Sequence, residues 1–431
     1  MTTTAQNPQA ASQSTTIRKI LDNDGVVTFF QPILSARQRS LVGVEALSRG
    51  VIGVEALSRG NIYGRAATGD LIPPMQLFAM AAQEGLTHDL ERACRNTAIR
   101  TFASLPRPTD LILFLNVTAS ALERDKDSVA DLLNETSKLN LSPRNVAIEI
   151  LESAFDDANH LRSLLETFRS EGFLLVLDDV GVGYSNLDRI PLIKPDVLKL
   201  DRNLVMDIEH DYHRQETFKA LVQLSRRIGA LVVAEGVETQ PQAIAALELG
   251  ADLLQGFFLG RPEQSLTLDC TEATRRVGEL GRRYKAFMIE RINQRKLQHR
   301  RFNIILNEIL CELTRSNYED FDLVLGYIIT SYSNVECIYV LDESGAQVSN
   351  TVCNPRLPHR AKGVMFRPAP PGADHSLKEY YYVLLDVELQ KYTTDPYVSL
   401  ATGNLCRTIS TFFRDSRNNK MYILCIDVLC D

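Results

Sequence analysis

No pair among the eight cysteines has CxxC spacing, so the chain lacks the simplest signature of a metal knot or redox dithiol. Six of them (Cys311, Cys337, Cys353, Cys406, Cys425 and Cys430) lie in the last third of the chain. Without a secretion signal they are expected to be reduced core thiols. No apolar run approaches the roughly 20 residues needed to cross a bilayer, so no membrane span is expected. Residues 1–16 are rich in Thr, Gln, Ser and Ala and have no apolar h-region. They read as a disordered tail, not a signal peptide, and a cytoplasmic location follows as an expectation. A basic excess is missing too. The formal net charge is −7, which argues against a general binder of nucleic acid polymers. A compact anionic ligand stays compatible, because its site needs only local positive charge or metal ions.

The chain has 431 residues, long enough for two domains. Short β-type runs recur from Val27: VTFFQPIL, LVGVEAL, LILFLNV, NVAIEIL, FLLVLDD, VLKLD and ALVVAE. Between most of them lie helical patterns such as LFAMAAQEGL, SVADLLNETSKL, ANHLRSLLETFRSEG and RQETFKALVQLSRRIGA. This alternation, with runs apolar almost throughout, predicts a parallel sheet buried on both faces by crossover helices. Residues 17–265 fit a TIM (β/α)8 barrel of about 250 residues. The first connection, RQRS, is too short for a parallel crossover, so the first two strands are expected to form an antiparallel hairpin. One tandem duplication stands out: LVGVEALSRG (41–50) is followed at once by VIGVEALSRG (51–60). Only one copy can occupy a barrel strand. Residues 266–301 open a basic stretch with spaced apolar positions, read as a helical linker. Residues 302–431, with the runs ECIYVLD, YYYVLLDV and MYILCIDV around the loop RPAPPG, are read as a small α+β domain on an antiparallel sheet.

Polar residues repeatedly end the apolar runs. Asn116 follows LILFL, Glu149 lies in NVAIEIL, Asp178 and Asp179 follow FLLVL, and Lys199 and Asp201 lie in VLKLD. Glu235 follows ALVVA and Gln255 follows ADLL. A single acid after a strand is commonly a helix N-cap. Six strand ends carrying the pattern point instead to one mouth of a barrel, where active sites lie. Packed carboxylates repel one another unless cations neutralise them. An all-oxygen set suits Mg²⁺, Mn²⁺ or Ca²⁺, and the Asp178–Asp179 pair could serve two ions about 3.5–4 Å apart, an arrangement used for phosphoester hydrolysis. A lysine among them could orient water or stabilise charge on phosphate.

The segments FFQPILS, VEALSRG, LNVTAS, IEILES, LDDVGVGYSNL, PDVLKLD, VVAEGVET and GADLLQGFFLG, in this order, closely resemble the EAL-domain family of cyclic-di-GMP phosphodiesterases. The resemblance implies a TIM barrel with an antiparallel first strand, two Mg²⁺ or Mn²⁺ ions, and hydrolysis of cyclic-di-GMP to linear pGpG in a homodimer. It implies metal ligands at Glu45, Asn116, Glu149, Asp178 and Asp179. Lys199 and Glu235 would handle the attacking water, and Glu152 would steady the loop after Asp179. Arg49, Gln255 and Asp201 would face the substrate. The duplication offers Glu55 and Arg59 as alternatives to Glu45 and Arg49; the first copy is favoured because RQRS keeps the hairpin register. Val180 and Val182 stand where the family usually has Phe and Thr, which implies tuned activity. The stretch DPYVSLATGNLCRTIS resembles a PAS- or Cache-like sensor, with Tyr397, Thr402 and Arg407 as candidates to line a pocket for an unknown small ligand. A catalytically inactive receptor or scaffold is the alternative reading.

Overall fold

A computed structural model describes residues 17–51, 71–106, 109–118, 128–150, 158–181, 186–264, 271–358, 366–386, 389–417 and 419–430. The four residues 36–39 turn the chain back on itself, so β1 (Val26–Ser35) and β2 (Ser40–Val51) pair antiparallel, with Gln31 opposite Glu45. β2 takes up the whole first copy of the duplicated decapeptide, and the short β3 (Leu71–Ile72) pairs with its last two residues. β4 (Ile112–Val117), β5 (Val146–Ile150), β6 (Leu174–Val180), β7 (Val197–Leu200), β8 (Leu231–Ala234) and β9 (Leu253–Gln255) follow in parallel from β2. β9 then pairs antiparallel with β1 and closes an eight-stranded barrel. Around it run α1 (Ile17–Asp22), α2 (Pro74–Glu84), α3 (Thr87–Ser104), α4 (Ser128–Lys138), α5 (Ala158–Ser170), α6 (Ile190–Ile193), α7 (Arg202–Val205), α8 (Tyr212–Ile228) and α9 (Gln240–Leu249).

Strand alternation divides each run between two cores. Val146, Ile148 and Ile150 of β5 face the helices, whereas Ala147 joins Ile33, Phe114, Val176, Val197, Val233 and Leu253 in a layer inside the barrel. Burying each of the larger side chains is worth on the order of 1.5–3 kcal/mol. Two residues beyond this inner layer, toward the C-terminal mouth, stand Asn116, Glu149, Asp178, Lys199, Glu235 and Gln255. On β1, which runs the other way, Gln31 lies two residues before Ile33. Period-two alternation therefore sets a polar layer directly on an apolar one. Gly256 holds Gln255 in place: its φ is +156°, and a Cβ there would lie 2.1 Å from the Val237 carbonyl oxygen.

The chain divides into two compact units, with the boundary between Ile289 and Glu290. That boundary falls within one continuous helix, α10 (Thr271–Arg315). In the second unit, β10 (Val335–Asp342), β11 (Val352–Cys353), β12 (Lys391–Thr393), β13 (Tyr397–Val398), β14 (Leu405–Arg414) and β15 (Met421–Leu429) form an antiparallel sheet. One sheet face packs on Leu306, Ile309 and Leu313 of α10 and on Phe321 and Leu325 of α11 (Phe321–Ile328). The run YYYVLLDV, expected as a strand, is instead largely the helix α12 (Glu379–Asp386). Its buried residues Tyr380, Tyr381 and Leu384 share one helical face against Tyr339, Ile423 and Cys425, and that packing overrides strand propensity. Among the described residues, no helix is long and apolar enough to cross a membrane.

Candidate metal and phosphoester site

Lys199 stands at the centre of the barrel mouth, 1% exposed. Its Nζ lies 2.6 Å from Glu235, 2.7 Å from Glu149, 3.3 Å from Glu45 and 3.6 Å from Asp178. Asn116 donates to Glu45 Oε1 at 2.8 Å, and Gln255 donates to Glu45 Oε2 at 2.6 Å and to Gln31 Oε1 at 3.3 Å. Asp179 joins through an irregularity. Consecutive strand residues normally point to opposite faces, but the β6–β7 register slips between Leu177 and Val180, and Asp179 takes a left-handed φ of 54°. This bulge brings carboxylate oxygens of Asp178, Asp179 and Glu235 within 4.8 Å of one another.

One ammonium cannot satisfy so many acids. Burial pushes the Glu149 carboxyl well above the usual range, against the pull of Lys199. Glu149 is fully buried, and Lys199 Nζ, 2.7 Å from its Oε1, is the one cation facing it among the described residues. Burial likewise raises Asp178, and raises Glu235 to about 8, with Lys199 opposing and the neighbouring acids reinforcing. Burial also works against charge on Glu45, but Lys199 and the two amide donors more than offset it, so Glu45 stays below its ordinary value. Lys199 is held well above its own: burial disfavours its charge, and the four acids outweigh that. Buried, donor-starved oxygens in an all-oxygen set fit divalent cations. Asp178, Asp179 and Glu235 bring their oxygens close enough to share an ion, and Glu45, Glu149 and Asn116 are further oxygen donors of the same polar layer.

The other sequence candidates lie at varying distance from this cluster. Arg49 follows Glu45 by four residues on β2, and its guanidinium stacks on Phe29, 4.6 Å from the ring centre. Asp201 caps α7, accepting from the Asn203 amide at 2.6 Å, while the next residue, Arg202, lines the cavity of about 290 Å³ beside Lys199 and Glu235. Glu152, Glu55, Arg59 and Val182 lie outside the described residues. In the second unit, Arg407 is exposed on β14, Thr402 is buried and donates to Glu336, and the Tyr397 hydroxyl meets Thr408 at 2.5 Å and Asp427 at 3.5 Å.

Sequence reasoning missed Gln31, Arg202 and Glu91. A second cavity of about 300 Å³, sharing Asn116 with the site, is lined by Glu91, Arg95, Phe78, Leu47 and Thr118. Glu91 is buried, and its Oε1 accepts from Thr118 Oγ1 at 2.7 Å. It lies on helix α3, so a search along strand ends passes over it. Gln31 was within reach, since the antiparallel first strand presents its start, not its end, at the mouth.

The sequence and the fold have known counterparts. The uncharacterized EAL-domain containing protein YkuI of Bacillus subtilis is 25% identical over 403 residues, covering 91% of this chain and 92% of YkuI. A crystal structure of YkuI in complex with substrate c-di-GMP and calcium superposes with a TM-score of 0.75 at 24% identity, covering 97% of this chain and all of that one. The bifunctional diguanylate cyclase/cyclic di-GMP phosphodiesterase MucR of Pseudomonas aeruginosa is 31% identical over 248 residues, covering 57% of this chain. A structure of its phosphodiesterase in complex with c-di-GMP has a TM-score of 0.50 at 29% identity and covers 58% of this chain and 97% of that one. This chain spans about a third of the full length of MucR (34%) and of the Bacillus subtilis signaling protein YkoW (30%, at 28% identity over 257 residues, 58% of this chain). Residues 14–262, more than half of the chain, match the EAL domain, and the chain belongs to that family.

Proposed function

We propose that this chain is a metal-dependent phosphodiesterase that hydrolyses cyclic-di-GMP to linear pGpG, as a cytoplasmic homodimer regulated by a small ligand at its C-terminal unit. The observation that carries the reading is the convergence of five carboxylates, two amides and one buried lysine at the mouth of the barrel. Two Mg²⁺ or Mn²⁺ ions held by Glu45, Asn116, Glu149, Asp178 and Asp179 would supply charge neutralisation on the phosphate and a more acidic water.

This chain's own groups do the rest. Burial raises the Glu235 carboxyl to about 8; cations bound beside it would favour its ionised form, in which it would take the proton of the attacking water. Lys199 faces the same carboxylate and orients that water. The water oxygen joins phosphorus, the bond to one ribose 3′ oxygen breaks, and the proton passes to that leaving oxygen. Arg49 and Arg202 supply positive charge for the phosphates. Asp201 acts through the helix it caps, and Gln255 fixes Glu45. By the family resemblance, Glu152 would steady the loop after Asp179. Glu91 in the neighbouring cavity offers a carboxylate to the adjacent N–H donors of a guanine edge.

Incubating the purified full chain with cyclic-di-GMP and Mg²⁺ or Mn²⁺, with a chelator control, tests the reading by chromatography of the products. Metal-dependent appearance of pGpG is expected. Binding of cyclic-di-GMP without product would overturn the enzyme in favour of a receptor, and the absence of both would leave a scaffold.

A further inference from the structure

Cys337 and Cys353 lie directly opposite each other on the antiparallel strands β10 and β11. Their sulfur atoms are 2.9 Å apart, and both are free thiols. Directly opposed residues on antiparallel strands have Cα atoms about 4.5–5.5 Å apart, within the range a disulfide spans, about 4.4–6.8 Å. No backbone movement is therefore needed to join them.

The backbone around the pair is fixed on both sides. The Asn354 amide donates to the Glu336 carbonyl at 2.8 Å. The Asn354 side chain is fully buried and donates to the carbonyls of Ile329, Tyr332 and Val335 at 3.3, 2.8 and 2.9 Å. The two thiols are also unequal. Cys353 lies on the two-residue strand at the sheet edge and is partly exposed, whereas Cys337 is fully buried on the next strand.

We propose that Cys337 and Cys353 form a reversible two-electron redox site, which a peroxide closes into a disulfide across β10 and β11. Cys353 meets the oxidant first. Its sulfur takes one peroxide oxygen, giving a sulfenic acid and one water. The sulfur of Cys337 then attacks that of Cys353, the S–O bond breaks, and a second water leaves with the Cys337 proton. Two thiols lose two electrons and two protons, and one peroxide becomes two waters. The division of labour agrees with the hydrogen bond between the thiols, which lowers the Cys353 thiol while the same bond, followed by burial, raises that of Cys337. A thiol or dithiol reductant reverses the step by exchange. Closure would fasten the sheet edge, and with it the Asn354 anchor, to the centre of the C-terminal unit.

The test uses the reduced full chain, a small molar excess of hydrogen peroxide, alkylation of the remaining thiols after denaturation, and non-reducing peptide mapping by mass spectrometry. The expected product is one linked peptide pair carrying Cys337 and Cys353, lighter by two hydrogens and restored by dithiothreitol. In Cys337→Ser, Cys353 should be trapped as a sulfenic acid by dimedone. In Cys353→Ser, Cys337 should remain alkylatable at the same peroxide dose. The proposal fails if wild-type Cys353 stays alkylatable, if its sulfenic acid persists unresolved, or if the link joins other cysteines or two chains. The wild-type map decides the matter even if a variant does not fold.

Discussion

Replacing Lys199 with Met removes the charge around which the site is assembled while keeping most of the side chain's volume. Four carboxylates lie within 3.6 Å of its Nζ, and the side chain is 1% exposed. Removing one partner of a buried ion pair costs about 3–5 kcal/mol. In a unit of this size each kcal/mol lowers Tm by about 2–4 °C, so a loss of roughly 6–20 °C is expected in chelator. The acids would escape part of the cost by taking up protons, as the raised Glu149, Asp178 and Glu235 already indicate. Acids in the folded variant then keep protons that the unfolded chain releases above about pH 4–5, so stability falls as pH rises. The deficit against wild type should therefore widen from pH 6 to pH 8. Divalent cations restore neutrality, and a ligand at 100 times its Kd stabilises by about 2.7 kcal/mol. The variant should gain more from Mn²⁺ than the wild type does. Circular dichroism melts in chelator and in Mn²⁺, at several pH values, make the measurement; the chain has no tryptophan for a fluorescence melt. A variant Tm within about 2 °C of wild type in chelator at pH 8 would refute the reasoning. So would a deficit that narrows as pH rises.

Glu45→Gln should lower pGpG formation by about 100-fold or more, while Glu55→Gln stays within about twofold in steady-state assays; equal losses would remove Glu45 from the metal set. Glu235→Gln should cost about 10²–10⁴ in kcat with KM little changed, and an unaltered kcat would end its role as base. In the second unit, burial pushes Asp427 up to about 7, with Thr408 opposing and Glu336 adding to the rise. The folded state then holds a proton that an ordinary Asp loses near pH 3.9, so this residue erodes stability between about pH 4 and pH 7, by up to about 4 kcal/mol. Asp427→Asn should flatten that dependence and raise Tm at pH 8; an equal loss of Tm at every pH would refute the assignment.

The barrel was legible because strands buried on both faces leave long apolar runs, and because RQRS is too short to cross over. The polar layer was legible for the same reason: Asn116, Glu149, Asp178, Lys199 and Gln255 each fall at or near the end of a run and share the phase of an inner-layer residue. Other features depend on geometry that no run of letters displays. Alternation alone would turn Asp179 away from Asp178, and only the bulge with its left-handed residue brings both to one side. Glu91 reaches its cavity from a helix, where period two has no meaning. In EYYYVLLD, aromatic and branched residues favour a strand, yet Tyr380, Tyr381 and Leu384 also fit one helical stripe, and the sheet beneath them decides.

The duplicated decapeptide shows how small the margin behind a register can be. A shift of ten residues is even, so the second copy would present Glu55 on the same face as Glu45, and Gly53 where Gly43 stands. That glycine is demanded: a Cβ at Gly43 would lie 2.5 Å from the Phe114 ring. Both copies meet this demand, so side-chain packing cannot choose between them. The connection to β1 can. Lengthening the hairpin turn from four to fourteen residues costs about 1 kcal/mol in closure entropy. It would also leave the apolar stretch LVGVEAL in the turn. The surplus is thus displaced beyond β2, and the two copies differ only at Leu41/Val51 and Val42/Ile52. Deleting residues 51–60 should therefore leave the β1–β2 hairpin, the Glu45 contacts and metal-dependent turnover in place, with Tm at or above that of the full chain. A deletion variant with a Tm clearly below that of the full chain, or one that no longer binds cyclic-di-GMP, would mean that residues 51–60 are built into the fold and are not surplus.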